Sequence, residues 1–127
     1  MKSKIRSVML ACLVLLTGVA AEAHHGWAEF DSGSQITLEG TVVDFHFTNP
    51  HCVVEFKVVD EKGQARQWQG EFGSPVELSR KGWTAATLQP GMKLTIGGHP
   101  AKNGSPAVHV TSIRLPDGKA LPVPDSN

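Results

Sequence analysis

All six histidines of the 127-residue chain lie within its last 104 residues. Imidazole is the commonest metal-ligating side chain, so the placement of these residues comes first. His24 and His25 directly follow Ala21-Glu22-Ala23. Ahead of that tripeptide stand three cations, Lys2, Lys4 and Arg6, and then an apolar run over residues 7–20. A basic start, an apolar stretch and an Ala-x-Ala motif are the parts of a cleavable secretory signal. Cleavage after Ala23 makes His24 the first residue of the mature chain. Its α-amine and its own Nδ1 then chelate one ion, and an imidazole from elsewhere completes a T-shaped, three-nitrogen copper site. Alternatively, His25 in second position binds Cu(II) or Ni(II) through the amine, its backbone nitrogen and its ring. Nitrogen-rich tetragonal sites suit Cu(II). Ligating imidazoles must be neutral, so such binding weakens in mild acid.

Two further histidines, His46 and His51, flank a Thr48-Asn49-Pro50 turn. With Val43, Phe45 and Phe47 read as inward, His46 points outward. With Cys52, Val54 and Phe56 inward, His51 points outward as well. Across a short hairpin the two rings can share a face. His99 falls in the connection between the last two expected strands and is a further candidate ligand. His109 lies on the last strand, where Val108 and Val110 compete for the inward parity with Ile113 and Leu115, and it reads as a surface residue. The expected metal set is therefore His24, His25, His51 and His46, with His99 in reserve, and the expected metal is copper.

The elements that must position these residues follow from periodicity. Residues 24–35 are polar and turn-rich and read as an arm. Ile36 and Leu38 alternate with Thr37 and Glu39, the period of a strand. After Gly40 the apolar residues fall on the other parity, so a bulge or bend is expected in one long first strand. A second strand runs over 51–60, a turn follows at Asp60-Glu61-Lys62-Gly63, and a third strand over 64–72 carries Trp68 and Phe72 inward. Ser74-Pro75-Val76-Glu77 has the spacing of a capping box with proline at the first helical position. Gly82 ends the helix, giving a short helix over 75–81 whose Val76 and Leu78, with Trp83, cover one end of the sheet. Strands four and five lie over 92–97 and 107–115, separated by a Gly/Pro/Asn loop. The order β-β-β-α-β-β is that of a mainly β, five-stranded, OB-like Greek-key barrel with one short helix between strands three and four. A small SH3-like barrel is the alternative. The domain is expected over 36–121, with a loose tail over 122–127.

Composition bounds the function. Loss of 1–23 leaves nine Lys and Arg against eleven Asp and Glu, a balance of about −2. About 100 residues make one domain with one modest core. A mildly acidic balance argues against a nucleic-acid partner, which usually needs a basic patch. The apolar run of the leader is shorter than the ~20 residues of a membrane span, so none is expected in the mature form. Only Cys52 survives cleavage, so no intramolecular disulfide is available. No catalytic set emerges either. His51 and Cys52 are adjacent on a strand and point to opposite faces, which prevents a base–nucleophile pair. Ser74 is accounted for as a helix cap, and no glycine-rich phosphate loop is present.

Several segments together are similar to a known family. They are Ala23-His24-His25-Gly26, Leu38-Glu39-Gly40-Thr41-Val42, Thr48-Asn49-Pro50-His51, Gly73-Ser74-Pro75, Arg80-Lys81-Gly82-Trp83 and Leu88-Gln89-Pro90-Gly91. The chain resembles, over 23–121, an uncharacterised exported bacterial family, domain of unknown function 6152. The resemblance implies a small periplasmic barrel with a leader peptide and no established activity. It places His24, His25 and His51 inside the matching segments, and His46, Cys52, His99 and His109 outside them.

The functional expectation is a non-enzymatic periplasmic protein that binds a transition metal near its mature N-terminus. A second expectation is an accessory module that binds an envelope protein, with the Gln67, Gln69, Glu71 face and the 98–106 loop as its surfaces. A third is a small-ligand or oligosaccharide binder in which Trp27 or Trp83 stacks on a sugar.

Overall fold

The structure is a computed structural model, and it describes residues 27–125. The expected leader, His24 and His25 lie outside the described residues. The order is β1 (Ile36–His46), β2 (Val53–Val59), β3 (Ala65–Glu71), α1 (Pro75–Arg80), β4 (Lys93–Pro100), β5 (Ala107–Arg114) and the short β6 (Ala120–Leu121).

One long strand organises the barrel. The first half of β1 pairs with β4, from Ile36 opposite Gly98 to Thr41 opposite Lys93. Its second half pairs with β2, from Thr41 opposite Lys57 to His46 opposite Val53. β2 continues to β3 and β4 to β5, all antiparallel. Closure comes from a parallel pairing of β3 with β5, in which Gln69, Gly70 and Glu71 oppose Ala107, Val108 and His109. The cyclic order β1-β2-β3-β5-β4 makes a closed five-stranded Greek-key barrel of OB type, with α1 between β3 and β4.

Two bulges set which side chains face inward. The β1–β2 register shifts between Val42 and Asp44, so Val43 is an extra residue in β1. Val42 is thereby buried and Val43 is left exposed, the reverse of the expected parity. The phase switch signalled at Gly40 is real but falls two residues later. Gly40 instead makes room for a ring. A Cβ there would sit 2.6 Å from the Phe56 side chain and 2.9 Å from the Lys57 carbonyl oxygen. The second bulge lies between Gly97 and Gly98, opposite the extra residue Thr111. It lets Val108 and Val110 on one side of Thr111 and Ile113 on the other all face the core, which resolves the conflicting parities of this strand.

The core joins Val42, Val54, Phe56, Phe72, Leu94, Ile96, Val108, Val110 and Ile113 to Leu78, Trp83 and Leu88 at one end of the barrel. The capping box forms as expected. Ser74 Oγ accepts from the Glu77 N–H at 3.3 Å, and Glu77 Oε2 accepts from the Ser74 N–H at 2.6 Å. Leu78 and Trp83 cover the barrel end, but Val76 points to solvent. Beyond β5 several of the described residues contact the barrel. Leu121 pairs with Ile113, Val123 packs on the core, and Trp83 Nε1 donates to the Pro122 carbonyl at 2.7 Å. Trp83→Phe, which keeps an aromatic ring but removes this donor, should cost about 1–2 kcal/mol. Urea denaturation measures it, and limited proteolysis should show earlier cleavage after Leu121.

Candidate metal centre

The arm is folded onto the barrel. The Asp31 N–H donates to the Pro100 carbonyl, the Lys102 N–H donates to the Glu29 carbonyl, and Lys102 Nζ donates to the Ala28 carbonyl at 2.8 Å. Phe30 forms a β-bridge with Ala101 and is buried. This docking carries Trp27 over the outer side of β5. The Trp27 ring stacks on His109 with centroids 3.6 Å apart and planes 13° from parallel. It also stacks on His51, at 4.7 Å and 22°.

His109 is therefore not a surface residue. Its neighbours Val108 and Val110 face the core, so its ring leaves the barrel on the outside, and Trp27 and Phe30 cover it there until 3 % is exposed. Burial, reinforced by His99 and His51, pulls its pKa down to about 4. At neutral pH the ring is uncharged, the state a metal ligand must have.

Four other groups surround this point. His51 Nδ1 lies 3.9 Å from Glu71 Oε2, beyond hydrogen-bond range. Burial pushes the Glu71 carboxyl up, against the pull of His51. Glu77 is held below its usual value, chiefly by the Ser74 backbone N–H it accepts from. His99 belongs to β4 rather than to a loop and lies directly opposite His109, with ring centroids 6.0 Å apart. Its Nδ1 is 2.7 Å from the Ser34 carbonyl oxygen. A carbonyl only accepts, so Nδ1 carries a proton and donates it there. A pocket of about 150 Å³ opens beside the stack, with Trp27, Glu77, His109 and Asp125 in its wall. A larger depression of about 600 Å³ lies near Lys57, Lys93 and Arg114, and none of the described histidines lines it.

His46 Nε2 lies 3.4 Å from Glu55 Oε2 and 3.7 Å from Asp44 Oδ2. The acidic neighbours of the two rings differ, Glu55 and Asp44 for His46 and Glu71 for His51. Cys52 is fully buried, and burial pushes its thiol up to about 11, so it is a packed, protonated side chain.

Periodicity does not reveal His109 and Glu71 as neighbours of His51. The readable signal is the clash of parities in β5, which marks a bulge, together with the tryptophan that follows closely on the expected cut. The Asp44 carboxylate is more accessible to such reading, because residues two apart on a strand share a face.

A model described as a family of unknown function, DUF6152, matches residues 11–109. The chain belongs to this family. No curated protein matches this DUF6152 chain. Among solved structures it is similar to the small single-stranded DNA-binding protein from Streptomyces coelicolor. The match covers 65 % of this chain and 93 % of the other, at 12 % identity and a TM-score of 0.44. One expectation is corrected here. A mildly acidic charge balance argued for excluding nucleic acid from the partners. The matched structure is named for binding single-stranded DNA. The exclusion is withdrawn, because a net count does not report how charge is distributed over a face.

Proposed function

We propose that this protein is an exported, periplasmic, non-enzymatic binder of Cu(II), with its site at the junction of the mature N-terminus and the barrel. The observation that carries the reading is the stacking of Trp27 on His51 and His109. Trp27 is three residues from His24, so chain geometry keeps the His24 Cα within about 11 Å of the Trp27 Cα. A cut after Ala23 would create an α-amine and an imidazole within three residues of the ring that stacks on His51 and His109. His24 supplies the amine and its ring nitrogen, and His51 supplies the third nitrogen. His25 in second position offers the other mode of using the same amine. His109, uncharged, stacks on the same Trp27 ring as His51. The Glu71 carboxylate, 3.9 Å from His51 Nδ1, is the acidic group nearest that ring.

The test compares two forms of the full mature chain. One begins at His24, confirmed by mass, and the other carries one extra residue before it. Cu(II) is titrated into each against a competing chelator. The extension should weaken binding by about 100-fold or more, since loss of a direct ligand exceeds the 10–100-fold typical of a supporting residue. His51→Ala in the native-start form should also weaken binding, by at least about tenfold. Equal affinity of the two forms would exclude the free-amine site.

A further inference from the structure

A second group of donor atoms lies on the outer face of β1 and β2. Asp44, His46 and Glu55 each present one ligand-type atom there, and the three atoms lie within 4.8 Å of one another. Asp44 and His46 are two apart on β1 and share a face. Glu55 is the direct cross-strand partner of Asp44. The Val43 bulge creates this register: without the extra residue, Asp44 would fall on the opposite face.

We propose that Asp44, His46 and Glu55 form a site for a divalent transition-metal cation of the Zn(II) class, separate from the N-terminal centre and not dependent on it. Three observations support it. Two carboxylates directly opposite each other on a ladder repel, and like charges so placed destabilise a strand pair. Among the described residues, His46 is the one cationic-type group within ion-pair distance of either. The spacings are those of ligands around an ion. Bonds of about 2.0–2.1 Å at tetrahedral angles put neighbouring ligand atoms about 3.3–3.4 Å apart. His46 Nε2 is 3.4 Å from Glu55 Oε2 and 3.7 Å from Asp44 Oδ2. The third edge, between the Asp44 and Glu55 carboxylates, is within 4.8 Å. Asp44 is also supported from behind, since its Oδ1 accepts from the Phe45 N–H at 2.8 Å while Oδ2 is the atom near His46. Ligating carboxylates are typically fixed through their other contacts in this way.

The donor set is one imidazole nitrogen and two carboxylate oxygens, with no thiolate. Three protein ligands leave a fourth position open to solvent. The ligand is thus the hydrated ion, with room for water or a small anion to complete it.

Co(II), a spectroscopic substitute for Zn(II), tests this. The full mature chain with one extra residue before His24 is the background, so that a free-amine site does not contribute. Co(II) is titrated while its visible absorption is followed, and Zn(II) is then added to displace it. One Co(II) per chain should bind and be displaced by Zn(II). His46→Ala and Glu55→Gln should each weaken it at least about tenfold, with unchanged circular dichroism. His51→Ala should leave it unchanged. Affinity unaltered by His46→Ala and Glu55→Gln, or no saturable binding in the background chain, would overturn the site. Neither result bears on the copper reading, which depends on the native N-terminus.

Discussion

Phe56→Ala is expected to lower the free energy of unfolding by about 3–5 kcal/mol, the range for truncating a buried aromatic. The ring is fully buried and stands where three strands meet. It lies opposite Val42 on β1 and Trp68 on β3. Two glycines make room for it. A Cβ at Gly40 would meet the ring at 2.6 Å, and one at Gly70 would come within 3.5 Å of it. Removing the ring therefore leaves a gap lined by backbone on both sides, and backbone held by ladder hydrogen bonds collapses poorly into a cavity. A domain of this size has about 5–15 kcal/mol in total, so the variant approaches its stability limit. Urea denaturation followed by circular dichroism gives the number. A loss below about 1.5 kcal/mol would show that the barrel closes over the gap and that this ring does not hold the bend of β1.

Acid should destabilise the metal-free protein in a window set by His109. Its ordinary value is 6.5, and the folded protein pulls it down to about 4, chiefly through burial. Between those values the unfolded chain takes up a proton that the folded chain refuses. The stability due to the neutral ring is thus complete above 6.5 and is lost as pH falls towards 4, with a maximum loss of about 3 kcal/mol. Glu71 acts in the opposite sense, because its raised carboxyl takes up a proton more readily in the folded state. Asp31 and Glu77, both lowered, lose their contributions only as pH falls below their ordinary values of 3.8 and 4.5. His109→Phe keeps a ring against Trp27 and cannot titrate. Denaturation midpoints measured across this range should fall steeply for the natural chain and much less for the variant. Parallel curves would remove His109 as the cause.

The features legible from sequence are those written in short range. The capping box needs only Ser74 and Glu77, three residues apart, and both reciprocal bonds form. The clean alternation of Cys52, Val54 and Phe56 gives the inward face of β2 because no bulge interrupts it. β1 and β5 are harder because each contains an extra residue. One inserted residue reverses every side chain beyond it, so simple parity places Val43 inward and leaves β5 without one consistent inward face. Where each bulge falls depends on the opposing strand, as with Thr111 against Gly97 and Gly98. No window of one strand contains that information. Val76 reads as covering the barrel end because helical periodicity gives a face but not the direction in which a six-residue helix is set down.

By itself, then, the sequence determined the order of the five barrel strands, the short helix with its capping box, and an OB-like barrel in preference to an SH3-like one. These follow from steric preferences and from apolar period, which act between near neighbours. The tertiary structure decided which histidines meet. It set His46 against Glu55, drew His99 opposite His109, and laid Trp27 over both His51 and His109. The physical reason is that an outward-facing strand residue becomes buried only if another segment covers it. The segment that does so, the arm, is held by Pro100, Ala101 and Lys102 from the far end of the chain.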